Sequence, residues 1–268
     1  MIYLTGLRRR DHDNRNATEF PLSLPLIGAL DDIRFTTPVT FLVGENGSGK
    51  STLLEGIAAG IGAVAVGGHD LSRDPTLEPA RILARAFLFS RARHARVRLF
   101  LRAEDVFGFT QRVTANLSGL ADDEADLATS LPEGYGRTIA TGAVAAQRGA
   151  LVSSYGANPD GRSHGETFLA VLKRRLVPNG LYLLDEPETP LSPSRVLALM
   201  ALIAEGVKNN SQFIIATHSP MLMALPGATI LLAEDGTLRQ ADWNDLEHVR
   251  VTRAFLADPE AALRKLLG

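Results

Sequence analysis

An α/β fold with a mostly parallel core sheet, an N-terminal antiparallel β segment and a small helical insert is the architecture this sequence predicts. Three observations point to it. A glycine-rich loop, Gly44-Glu45-Asn46-Gly47-Ser48-Gly49-Lys50-Ser51, joins the apolar run Val39-Thr40-Phe41-Leu42-Val43 to a helical stretch opening at Thr52. Two further apolar runs, Leu181-Tyr182-Leu183-Leu184 and Phe213-Ile214-Ile215-Ala216, end in Asp185-Glu186 and Thr217-His218. Residues 105–162 lack such runs and are punctuated by glycine. Short apolar runs between turn residues read as buried strands, and their alternation with helical patterns reads as parallel units. One domain results, with 1–104 as β segment and first core half, 105–162 as insert and 163–268 as second core half.

Taken in order, residues 2–7 read as a strand and Arg8-Arg9-Arg10-Asp11-His12-Asp13-Asn14-Arg15-Asn16 as a polar loop. Its arginines are either solvated or contact a phosphate or an acidic partner. Residues 17–37, with Pro21 and Pro25, read as short β segments leading to the strand at 39–43. After the first helix, residues 69–79 form a polar loop. Arg81, Arg85, Arg91, Arg93, Arg96, Arg98 and Arg102 then fall in one stretch without an acid. Val97, Leu99 and Leu101 alternate with Arg96, Arg98 and Arg102, which reads as a strand. An acidic segment from Glu104 to Glu133 follows. The arginines either pair with it or form a surface for nucleic acid or a protein partner.

In the insert, residues 117–131 read as helix, after which Gly134, Gly136, Gly142, Gly149, Gly156 and Gly161 interrupt the pattern. Ser163-His164-Gly165-Glu166 caps a helix over 167–176 that ends in Lys173-Arg174-Arg175, cations that suit a helix C-terminus. Residues 194–207 read as a helix. Residues 229–233 and 237–239 form a hairpin about Asp235-Gly236, and 244–267 an amphipathic helix broken near Asp258-Pro259. Trp243 and His248 read as packing or surface residues.

Composition narrows the function. The formal net charge is -2, which gives no global case for a polyanion partner. There is no cysteine, so disulfides and thiolate metal sites are excluded. No apolar run reaches the roughly 18 residues that span a bilayer. In Met1-Ile2-Tyr3-Leu4-Thr5-Gly6-Leu7-Arg8-Arg9-Arg10 the charge follows the apolar stretch, the reverse of a secretory signal. A soluble cytoplasmic protein is expected.

The loop at 44–51 fits G-x-x-x-x-G-K-[ST], the P-loop. Its glycines let backbone N–H groups approach phosphate oxygens that a Cβ would keep away. Residues Gly44, Glu45, Asn46, Gly47, Ser48, Gly49, Lys50, Ser51 and Thr52 are therefore the expected nucleotide-binding set. Lys50 reaches the β- and γ-phosphates and Ser51 ligates Mg²⁺. The helix that follows presents its positive end to the anion. Four apolar residues followed by Asp185-Glu186 have the Walker B form. Asp185 is expected to hold Mg²⁺ and Glu186 to act as general base toward water. His218 ends another core strand and is placed to contact the γ-phosphate or the attacking water. Tyr3, Phe20 and Phe35 are core candidates or adenine-stacking residues.

On these residues the chain resembles an ABC-type ATPase, a P-loop NTPase fold, and more narrowly the small AAA-family ATPases of the SMC/RecF-like group. Residues 44–51 match Walker A, 181–186 match Walker B, and His218 matches the switch histidine. Ser163-His164-Gly165-Glu166 sits where that family has its signature motif. The resemblance implies ATP and Mg²⁺ as cofactors and an ATP-sandwiched homodimer. In it Ser163 and Gly165 act in trans on the partner subunit's nucleotide, and hydrolysis moves an attached partner. It also places Glu104 near the Q-loop position, as a further metal-site residue, and Leu191-Ser192-Pro193 at the D-loop. The transporter signature Leu-Ser-Gly-Gly-Gln and the long SMC coiled coil are absent. Alternative functions are a non-hydrolytic ATP-sensing switch, the ATP-binding subunit of a transporter, and a DNA-repair or defence ATPase.

Overall fold

The computed structural model describes residues 1–10, 19–66, 78–156 and 164–267. They form two compact units, Met1–Arg102 with Leu176–Gly268, and Ala103–Arg175. The first unit holds β1 (Leu4–Arg9), α1 (Pro25–Ala29), β2 (Asp32–Arg34), β3 (Val39–Gly44), α2 (Lys50–Ile61) and β4 (Val64–Ala65). It continues with α3 (Glu78–Ala86), β5 (Phe87–Arg91) and β6 (Val97–Arg102). The second unit is α4 (Ala103–Ser130), α5 (Tyr135–Tyr155) and α6 (His164–Arg175). The chain then returns to the first unit as β7 (Gly180–Asp185), α7 (Pro193–Lys208), β8 (Gln212–Ala216), β9 (Thr229–Glu234), β10 (Thr237–Gln240), α8 (Glu247–Ala257) and α9 (Pro259–Leu267).

Seven strands make the core sheet, in the order β10-β9-β3-β8-β7-β6-β4. All neighbours pair in parallel except β10 with β9. Every residue of β7 and β8 is buried, as are five of the six in β3. That double burial is why these segments are continuous apolar runs and not alternating ones. The register matters most. Leu42 pairs with Ala216, and Ala216 with Asp185. Strands β3, β8 and β7 therefore end on one line, and the residues after each emerge at the same sheet edge. In open parallel sheets that carboxyl edge is where ligands bind.

A separate antiparallel sheet, β2-β1-β5, supplies the expected N-terminal β segment. Gln212, fully buried at the start of β8, ties it to the core. Its Oε1 accepts from the Tyr3 and Leu4 N–H groups at 2.7 and 2.9 Å, and its Nε2 donates to the Leu4 carbonyl at 2.9 Å. A Gln212→Ala substitution strands buried backbone groups that cost about 1–3 kcal/mol each. We expect a stability loss of at least roughly 3 kcal/mol, read as a lower denaturant midpoint in urea unfolding. An unmoved midpoint would contradict this anchoring role.

Three local expectations are corrected. Residues 17–37 are not all β: Pro25 occupies the first helical turn, where its fixed φ suits a helix, and Leu26 and Ile27 of α1 are buried. Arg8 and Arg9 belong to β1 and not to a loop. Arg9 is buried, and its guanidinium donates to the Leu30 carbonyl at 3.0 Å and to that of Ile27, closing the end of α1. The insert is not broken at each glycine. Gly136, Gly142 and Gly149 lie inside α5, a 21-residue helix. Its breaks fall at Gly134 and Gly156, with φ of 154° and 90°. A glycine inside a helix costs only about 1 kcal/mol relative to alanine, which packing offsets. Within that unit Arg148 of α5 pairs with Glu124 of α4 at 3.0 Å. Among the described residues no helix is long and apolar enough to cross a membrane.

Candidate active site

The glycine loop connects β3 to α2 at the carboxyl edge of the core sheet. Gly44 has φ of 150°, and a Cβ there would meet the Ala233 carbonyl oxygen at 2.3 Å. Only glycine lets β3 leave the sheet beside β9. Gly49, with φ of 94°, is the N-cap of α2 and offers no side-chain cap. The N-cap residue thus supplies no side-chain acceptor to the first N–H groups of α2, which suits a helix start that receives an anion.

Lys50 opens α2 and lies over the loop. Its Nζ donates to the carbonyls of Gly44 at 2.9 Å and Glu45 at 2.7 Å, with Ser48 Oγ at 3.4 Å. Burial lowers its pKa, and the carboxylates of Glu186 and Asp185 push back upward. Ser51 Oγ donates to Asp185 Oδ1 at 2.9 Å, across 134 residues of sequence. The loop lysine, the loop serine and the Walker B aspartate therefore share one small volume.

Glu186 follows β7 with φ of 45°, a left-handed conformation that is unusual outside glycine. Its N–H donates to the Ala216 carbonyl at 2.9 Å, which keeps it level with the end of β8. Strain of this kind concentrates at functional sites. The His218 Nε2 lies 3.6 Å from Glu186 Oε1. Burial and the Lys50 charge lower the His218 pKa, and Glu186 and Glu188 oppose them. Burial and Lys50 thus favour the neutral imidazole, which has one ring N–H to donate and one ring nitrogen to accept.

Sequence reasoning gave Glu55 and Glu188 no role and read Arg102 only as a member of the arginine run. Arg102, at the end of β6, pairs with Glu55 of α2 and lies 3.5 Å from Asp185 Oδ2. The register explains this, because Arg102 is the partner of Asp185 across β6 and β7. Glu188 accepts hydrogen bonds from residues 217–219. Arginines of the 81–102 run pair locally: Arg81 and Arg85 with Glu78, Arg91 with the Gly60 carbonyl, Arg98 with that of Ile61. Tyr3 and Phe35 are buried in the core, and Phe20 is exposed. A cavity of about 260 Å³ beside the loop is lined by Pro25, Leu26, residues 45–48 and the β9–β10 turn, with no aromatic among them.

Of the remaining expected residues, Gly165 and Glu104 lie in the second unit. Gly165 is buried in the first turn of α6, Glu104 is in the first turn of α4, and Ser163 lies outside the described residues. Among the described residues no cluster of three or more His, Asp or Glu could cage a metal alone. Ser51 and Asp185 offer hard oxygen donors of the kind Mg²⁺ takes, in the small number it takes when phosphates and water complete its shell.

Comparison with known proteins gives two family matches. Residues 27–107 match a model described as "AAA domain". Residues 159–224 match one described as "AAA domain, putative AbiEii toxin, Type IV TA system". The first stretch contains the loop at 44–51 and the second contains Asp185, Glu186 and His218. No curated protein matches the chain. Among solved structures it is similar to cbiO1 from Clostridium perfringens, part of the ABC transporter complex cbiONQ. There the identity is 16%, coverage is 97% of this chain and 98% of that one, and the TM-score is 0.46. It is similar to the Smc head domain from Pyrococcus furiosus, bound to the C-terminal domain of ScpA. That match has 12% identity, covers 97% and 100%, and has a TM-score of 0.41. A third is the dimeric ATP-binding cassette MJ0796 in a post-hydrolysis state with ADP and Pi, with 15% identity, coverage of 92% and 100%, and a TM-score of 0.40.

Proposed function

We propose, for a chain that belongs to the ABC/AAA group of P-loop ATPases, that it hydrolyses the β–γ bond of ATP with Mg²⁺ in this site and dimerises around the nucleotide. One observation carries the reading: Lys50, Ser51, Asp185, Glu186 and His218, from three separate strand ends, meet at one sheet edge. Backbone N–H groups of residues 45–50 and the start of α2 cradle the phosphates. Lys50 turns from the Gly44 and Glu45 carbonyls onto the β- and γ-phosphate oxygens. Ser51 and Asp185 hold Mg²⁺, which when bound offsets charge on the phosphate oxygens. Glu186 takes a proton from water as its oxygen attacks the γ-phosphorus and the bond to the ADP oxygen breaks. Neutral His218 donates its one N–H to the γ-phosphate.

The trans role of Ser163 and Gly165 follows from the resemblance and is part of the proposal, as is a metal contact from Glu104. The test is phosphate release by the purified chain with ATP and Mg²⁺. Turnover that stops on removal of Mg²⁺ supports the reading, and bound ATP that persists without turnover favours an ATP-sensing switch.

A second, additional reading concerns a partner. A cavity of about 70 Å³ is lined by Arg91, Arg93, His94, Arg98 and Tyr3, with no carboxylate among the described residues that line it. Burial and the nearby Arg98 charge hold Arg91 below the usual arginine value. Such a site suits a phosphodiester, as the DNA-repair or defence alternative requires. We expect binding of an oligonucleotide that weakens steeply between about 50 and 200 mM salt and is lost in the double variant Arg93→Glu, Arg98→Glu. Fluorescence anisotropy checks this, and unchanged binding in the double variant would remove this surface from the account.

A further inference from the structure

Glu188 lies three residues beyond β7, after Pro187. Its Oε1 accepts three hydrogen bonds from consecutive residues of the segment after β8. Thr217 Oγ1 donates at 2.5 Å, the His218 N–H at 2.7 Å and the Ser219 N–H at 3.0 Å. Thr217 is fully buried, and its own N–H is taken by the Leu42 carbonyl at 3.2 Å. The other carboxylate oxygen, Oε2, is buried and has no hydrogen-bond partner among the described residues. One side chain thus joins the segment after β7 to the segment carrying His218.

We propose that Glu188 is the positioning residue for His218, setting the imidazole against Glu186 and the γ-phosphate through His218's own backbone. The inference rests on the ATPase reading above. Its physical basis is specific. Hydrogen bonds to an ionised carboxylate are shorter and stronger than neutral ones, and here two of them grip the peptide N–H groups of His218 and its neighbour. They fix the backbone that aims the ring. The 3.6 Å approach of Nε2 to Glu186 is the consequence. The carboxylate also opposes, with Glu186, the effects of burial and of Lys50 on His218. His248 of α8 is a further titratable group that senses His218. No other described side chain bonds to the N–H of His218 or Ser219 except Thr217 Oγ1, at 3.0 Å from Ser219 N. Removing Glu188 leaves that turn without its charged acceptor.

Two variants and two readouts test this. Glu188→Ala should lower kcat by about 10–100-fold, the cost of misplacing a catalytic group, with KM for ATP held within about threefold. Glu188→Gln keeps an oxygen acceptor and should recover most of the rate. In a His218→Ala background, Glu188→Ala should cost nothing further, because the two act as one unit. The second readout needs no turnover. The His218 imidazole proton resonance in the full chain should move in Glu188→Ala and stay near the wild-type position in Glu188→Gln. Full kcat in Glu188→Ala, a loss that adds to that of His218→Ala, a KM that rises in step with the fall in kcat, or an unmoved His218 resonance each overturns the proposal. A wild-type chain without ATP turnover would instead overturn the ATPase reading, and the resonance alone would then decide whether Glu188 places His218.

Discussion

Replacement of Glu186 by glutamine is expected to lower ATP turnover by at least about 100-fold while ATP stays bound, the loss typical of a removed general base. The geometry leaves few substitutes. Asp185 is engaged by Ser51 and lies beside Arg102. Glu188 is directed at residues 217–219. Glu186 has its carboxylate against the His218 ring, is nearly half exposed and is held level with the end of β8 in a strained backbone. Glutamine preserves its shape and its contact with His218 but cannot take a proton at neutral pH. Phosphate release and retained nucleotide, measured together, separate lost chemistry from lost binding. A Glu186→Gln protein with the wild-type rate would remove the mechanism.

Lys50→Ala should act at the earlier step. The Lys50 ammonium is buried over the loop, held there by the Gly44 and Glu45 carbonyls. A charge-assisted hydrogen bond contributes about 1.5–3 kcal/mol, and two to the phosphates are lost. The Kd for ATP should rise by roughly 100-fold or more. Calorimetry measures this directly. A thermal shift gives the same answer, because ATP raises the melting temperature of a chain that binds it and leaves the variant unmoved. An unchanged Kd would place the nucleotide elsewhere.

Much of this site is legible in the sequence because its chemistry sits where strands end. A run such as Leu181-Tyr182-Leu183-Leu184 before Asp185-Glu186 carries both the strand and the placement of its acids. The loop at 44–51 is equally plain, since φ values of 80° and 94° at Gly47 and Gly49 demand glycine. What the chain order hides is adjacency across the sheet. That β8 lies between β3 and β7 follows from pairing and not from periodicity. For the same reason Arg102 reads as one more arginine in a basic run, whereas its register partner is Asp185. Glu188 is one of three nearby acids, with Asp185 and Glu186, that look alike in sequence. Only the fold sends Asp185 to Ser51, Glu186 to the His218 ring and Glu188 to the His218 backbone. Local propensity failed at Arg9, at α1 and along α5. There a buried guanidinium, a proline at a helix start and interhelical packing outweigh the polar or glycine-rich character of the segment.

The most direct measurement is a crystal structure of Glu186→Gln with ATP and Mg²⁺. The account predicts the γ-phosphate within hydrogen-bond reach of Lys50 Nζ and His218, with the cation on Ser51 and on the Asp185 side. A triphosphate bound away from Lys50, or one bound there with His218 turned from it, would contradict the account.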